Sequence, residues 1–244
     1  MERLHYGKAP ITEAIIDLRV KPREGLTLSD IEQVRRGEEP AYPEVRRFAI
    51  AHGHIEVGER VGASATKEET GFVFSDADQK QVVQTRIDGF TFSRLAPYDT
   101  WESFRDEGRR LWTLYRERVC PTEVMRLAVR YVNRFDLPGS PVELKDYFRT
   151  SPEVSPDLHQ LMSGFFLRVM IPQEDLKGHL IINQTRAPHA NPEVLSVVLD
   201  IDLFREIEVP NREDEIWQFF EQLHDRKNDV FEACITERAR ELIR

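Results

Sequence analysis

The stretch MRLAVRYVNRFDLP, residues 125–138, constrains the fold more than any other. Its odd positions carry Leu127, Val129, Tyr131, Asn133 and Phe135; its even positions carry Arg126, Ala128, Arg130, Val132 and Arg134. Side chains of an extended strand alternate between two faces, whereas those of a helix repeat about every 3.6 residues. Arginine at every fourth place fits either period, but apolar residues at every second place fit only the strand. Residues 126–135 are therefore predicted as a strand with an oily odd face and three arginines on the other face, read as about 7 Å apart. An antiparallel sheet commonly packs one such face and wets the other.

The remaining chain divides around this strand. ITEAIIDLRV (11–20) alternates in the same way and stops at Lys21-Pro22. Ser29-Asp30 is read as the cap of a short helix over 31–36. From Gly53 to Leu95, short apolar pieces cut by glycine and aspartate predict an antiparallel meander, with Asp88-Gly89 as a tight turn. Thr100 caps a helix whose Trp101, Phe104, Leu111, Trp112, Tyr115 and Val119 recur at helical spacing, and Cys120-Pro121 ends it. Residues 140–148 read as a short helix capped by Ser140. GFFLRVMI, GHLIINQTR and VLSVVLDIDLF predict three more strands. Residues 211–243 read as a last helix capped by Asn211, which Thr236 restarts or bends.

Each half thus runs strand, short helix, meander, long helix. The expected fold is α+β, an antiparallel sheet built from two similar units, 1–122 and 123–244, with two long amphipathic helices on one side; the units may equally form one continuous domain. Shifting the chain by 116 residues matches Trp101 to Trp217 and Phe104 to Phe220. The same even shift fails to match the even buried face of 11–20 to the odd one of 126–135.

Composition narrows the function. The net charge of −9 argues against general nucleic-acid binding, which needs a basic surface to displace counterions. No apolar run approaches the length of a membrane span. Two cysteines outside any metal spacing, and an N-terminus without an apolar leader core, predict a reduced, cytoplasmic protein.

No nucleophile elbow, phosphate loop or zinc motif occurs, so catalytic residues are left unassigned and no metal site or cofactor is expected. The remaining signal is charge on strand faces: Asp17 and Arg19; Lys80, Gln84 and Arg86; Gln184 and Arg186; Asp200 and Asp202. A wet face with cross-strand ion pairs is the plain reading. The sharper one is a ligand site of Arg126, Arg130, Arg134, Asn133, Asp17, Arg19 and Arg86, since arginine forks suit phosphate and carboxylate. Asp200 and Asp202, with Glu13 and Asp17, are the acids a divalent metal would need, and His52, His54 and Glu56 are a second, weaker metal candidate.

Four motifs, APITEAIIDLRV, FSRLAPYDTWESF, RYVNRFDLP and LHDRKNDVFEACIT, occur in this order, and with them the chain resembles a sporadically distributed family of bacterial proteins of about this length. The resemblance carries over no activity. It implies a mobile or phage-defence locus, and it marks Glu13, Asp17, Arg19, Arg94, Tyr98, Trp101, Tyr131, Asn133, Arg134, His224, Phe231 and Thr236 as motif positions. The reading is a non-enzymatic binding or regulatory protein that engages a protein partner or small anionic ligand through the charged sheet face. The alternative is a metal-dependent enzyme acting on nucleotide or nucleic acid. A homodimer through that same face is a third possibility.

Overall fold

The computed structural model describes residues 6–56, 62–139, 141–160, 162–191 and 193–244. The strands are β1 (Ile11–Lys21), β2 (Glu44–Glu56), β3 (Gly62–Ser75), β4 (Gln81–Arg86), β5 (Gly89–Leu95), β6 (Glu123–Pro138), β7 (Phe166–Gln173), β8 (Gly178–Ala187) and β9 (Val194–Arg205). The helices are α1 (Leu28–Glu32), α2 (Trp101–Val119), α3 (Glu213–Cys234) and α4 (Glu237–Ile243). Among the described residues, nine strands form one antiparallel sheet in the order β2-β3-β4-β5-β1-β6-β9-β8-β7.

The centre of the sheet is the pairing of β1 with β6. Ala14, Ile16 and Leu18 stand opposite Tyr131, Val129 and Leu127, and all six are fully buried. Each such burial stabilises by about 1.5–3 kcal/mol. Helix α2 meets this face closely: Phe92 stacks on Phe104 at 5.2 Å and Phe90 meets Trp112 edge-on at 5.9 Å. Gly108 permits the approach, since a Cβ there would lie 3.2 Å from both Ile16 and Phe92. Helix α3 touches the same strands through Phe231, stacked on Phe135 at 6.2 Å. Buried side chains of both halves join in one apolar cluster.

Several local expectations need correction. Thr27, not Ser29-Asp30, caps α1; Thr27 and Asp30 bond reciprocally, so the aspartate is the third helical residue rather than the cap. Residues 140–148 do not form an α-helix: only a 3₁₀ turn, Leu144–Asp146, occurs, because Phe148 is drawn into a bridge with Ile235. Ser140, its predicted cap, lies outside the described residues. Asn211 does not cap α3; its side-chain oxygen accepts the backbone N–H of Val124 instead. Thr236 does restart the chain as α4, its hydroxyl accepting the N–H of Ala239.

The hairpin between β4 and β5 turns on Ile87-Asp88, because Arg86 pairs with Gly89. Gly89 is needed for closeness: a Cβ there would stand 2.7 Å from the Leu18 carbonyl oxygen. Gly89→Ala is therefore expected to cost about 1–3 kcal/mol through forced backbone movement, read as a lower urea midpoint. An unchanged midpoint would show that β5 approaches β1 less tightly than described.

Candidate functional site

Register decides which side chains share a face. With Ile16 and Val129 turned to the core, the odd residues of β1 and the even residues of β6 turn outward. Pairing carries this alternation to Gln84 and Arg86 on β4, to Asp200 and Asp202 on β9, and to Ile181 and Asn183 on β8. Gln184 and Arg186 do not belong to it. They pair with Leu199 and Val197, so they stand on the opposite side from Asp200.

Asp17 is the hub of the outer face. One oxygen accepts from Arg126 at 2.9 Å and faces Nε of Arg19 at 3.4 Å. The other accepts from Thr91 at 2.7 Å and Arg86 at 3.2 Å. Arg19 and Arg126 are direct cross-strand partners, a like-charge pairing that costs stability unless an anion lies between. Asp17 supplies that anion, and Asp88 adds a second for Arg19 at 3.3 Å. Arg86 is 4% exposed, held also by Gln84 at 3.0 Å and set over the Phe48 ring.

The other arginines find separate partners. Arg126 reaches Asp202 at 3.4 Å and Glu206 at 3.4 Å, and lies 4.5 Å over the Phe204 ring. Arg130 grips Asp200 through two bonds of 2.8 Å, while Asn183 donates to the same carboxylate at 2.9 Å. Arg134 bonds Asp136 and Ser196, both at 3.0 Å. The three arginines are spaced two pleats apart, about 13 Å rather than 7 Å, so each meets its own anion. Asn133 turns to the buried side, where its amide donates to the carbonyls of Tyr131 and Leu199.

Four arginines here, Arg19, Arg86, Arg126 and Arg130, face four aspartates, Asp17, Asp88, Asp200 and Asp202. Burial, the largest influence, raises the pKa of Asp202 above its ordinary 3.8 against the pull of Arg126 and Arg130, and its Oδ1 is buried with no hydrogen-bond partner among the described residues. Between these charges lies an apolar strip. Ala128, Ile181 and Phe204 are buried on this face, and Met170 and Phe166 continue outward along β7, 52% and 68% exposed.

Several motif residues gather on the helix side instead. The hydroxyls of Tyr98 and Tyr131 lie 3.0 Å apart, and burial pushes the Tyr98 pKa up to about 12 and that of Tyr131 well above 10.0. Trp101 stacks on His224 at 4.3 Å and donates to Glu221 at 2.9 Å. Lys227, inside the last motif but not among its marked positions, sets its ammonium 3.9 Å over the Tyr131 ring. Phe231 and Thr236 serve packing and capping.

Among the described residues, no three of His, Cys, Asp and Glu gather so as to hold a metal ion. Asp200, the acid the enzyme alternative needs, is already bonded to Arg130 and Asn183. His52, His54 and Glu56 lie on β2, but their side chains fall outside the described residues. Both cysteines are free, and no helix among the described residues is long and apolar enough to cross a membrane. No family model matches the chain, and no curated protein matches it.

Asp17→Asn leaves the buried Arg86 with only the exposed Asp88, 3.5 Å from its Nε, and is expected to cost about 3 kcal/mol in chemical denaturation. Asp202→Asn behaves differently. A raised carboxyl pKa means the ionised form burdens the fold above that pKa, and the burden disappears as pH falls below 3.8. The variant should therefore compare better with wild type at pH 7 than at pH 4. A stability difference that is flat or reversed between these two pH values would contradict the assignment.

Proposed function

We propose that this chain is a non-enzymatic binding protein that engages a protein partner through the outer face of its sheet and the adjoining β7 edge. The observation that carries the reading is the exposure of Phe166 and Met170 on the outward side of an edge strand, beside a face whose charges are internally balanced. A small anion would have to displace a carboxylate from each arginine it approached. A protein surface of mixed charge meets both signs at once, and its apolar groups cover the strip from Phe204 to Phe166. The free edge of β7 suits a partner that adds an extended segment, because main-chain bonds give affinity and alternate side chains give selection.

The finer architecture belongs to the same proposal. β1 lies beside β5, the last strand of the first meander, and β6 lies beside β9, the last of the second. This supports two similar units, 1–122 and 123–244, meeting at β1 and β6 with the long helices on one side. An odd shift between the halves aligns their buried faces where the even shift of 116 does not. Membership of the sporadic bacterial family and a cytoplasmic location are part of the same reading.

Affinity capture from the native host tests the partner. The wild-type protein should retain one dominant protein, which Met170→Asp and Phe166→Asp each release while keeping the wild-type melting curve. Retention of that protein by both variants would refute the surface as placed. Light scattering separates the homodimer: a mass of two chains that Met170→Asp halves would identify the partner as a second copy.

A further inference from the structure

The sheet has a second feature that the outer face does not use. β6 ends at Pro138, β8 ends at Ala187, β9 begins at Val194 and β7 begins at Phe166, so four strand ends converge on one corner. A cleft of about 500 Å³ opens there, between residues 163–165 and the turn joining β8 to β9. That volume falls within the range of small-molecule sites, about 300–1,000 Å³. Phe165, Pro188 and Val194 give it an apolar wall, and Thr185, Arg186, His189 and Asn191 give it polar groups.

Its electrostatics differ from those of the outer face. The chain carries 43 acidic residues, yet none of the described residues lining the cleft is acidic; the carboxylate of Asp136 stands behind His189 at 3.9 Å. The outer-face arginines each hold a carboxylate. Arg186 instead donates to a neutral acceptor, the carbonyl of Ser163, at 2.7 Å. Among the described residues no carboxylate pairs with it. That one bond anchors the guanidinium at the rim through Nη1 and leaves its Nε and Nη2 donors open, the fork that takes two oxygens of a phosphate. His189 lies across the turn, its Nδ1 3.0 Å from both the backbone nitrogen and the carbonyl oxygen of Asn191, and its Nε2 3.9 Å from the Asp136 carboxylate. Arg134 braces the same rim by donating to the Pro188 carbonyl at 3.2 Å.

We propose that this corner cleft binds a small phosphate-bearing molecule with a flat ring, the phosphate on Arg186 and the ring against Phe165 and Pro188. The site is separate from the protein-binding face, and neither proposal depends on the other. Arg134, expected from the sequence to bind an anion directly, becomes here a positioning residue for the rim.

Calorimetric titration of the full chain at low ionic strength provides the test, with adenosine monophosphate, adenosine and inorganic phosphate as probes. Adenosine monophosphate should saturate one site, and adenosine should bind about tenfold more weakly or worse for want of the charged pair. Arg186→Glu should weaken the nucleotide by at least about tenfold with an unchanged melting temperature, and Arg186→Lys, which keeps charge but loses the fork, should fall between. Arg168→Glu, an exposed charge change on the neighbouring strand, should bind as wild type does. The proposal is overturned if the nucleotide does not saturate, if Arg186→Glu binds like wild type, or if Arg168→Glu weakens binding as much.

Discussion

The register of β1 on β6 is the constraint from which the rest of the outer face follows. It joins strands more than a hundred residues apart in sequence, Ile16 to Val129 at the centre, and buries one face of each without a gap. The opposite face is then forced to carry Asp17, Arg19, Arg126 and Arg130 together. Two of these arginines are direct cross-strand partners, and that arrangement holds only with Asp17 set between them. A slip of one residue would turn the charges into the core and the oily side chains into water.

The same geometry shapes what the face can do. Its arginines are not a reservoir of free positive charge, because each is answered by an aspartate. Exposed pairs of this kind contribute little, but Arg86 and Asp200 are nearly buried, and loss of either partner leaves a charge that water reaches poorly. Such a surface is stable without a ligand. The uncompensated features lie at its margins: Phe166 and Met170 on the β7 edge, and Arg186 at the corner cleft. The proposed recognition surfaces lie at the margins, and the charge pairs of the centre hold the sheet.

The sequence made the strands legible because alternation is a local pattern. Residues 126–135 and 11–20 lie within strands at the expected parity, and α2 begins after Thr100, whose hydroxyl accepts from Ser103. Errors arose where a long-range contact won. Asn211 looks like a cap but bonds Val124, and residues 140–148 look helical but Phe148 bridges Ile235. Faces were harder than strands: Gln184 and Arg186 were grouped with Asp200, although only pairing register fixes which parity of β8 faces which parity of β9. Asn183, the residue that does meet Asp200, carried no signal in the sequence alone. The stacking of Trp101 on His224 was equally invisible, since it depends on where α2 and α3 meet.

Disulfide trapping of the β1–β6 register tests this account most directly. In a background with Cys120 and Cys234 replaced, Ile15→Cys with Arg130→Cys places two thiols on directly opposed outward positions, within the Cα separation of about 4.4–6.8 Å that a disulfide needs. Ile15→Cys with Arg126→Cys places them four residues out of step. The first pair should close fully under mild oxidation and the second should remain reduced in the folded protein. Closure of the second pair in preference to the first would mean that β1 and β6 meet in another register, and that Asp17 does not lie among the arginines.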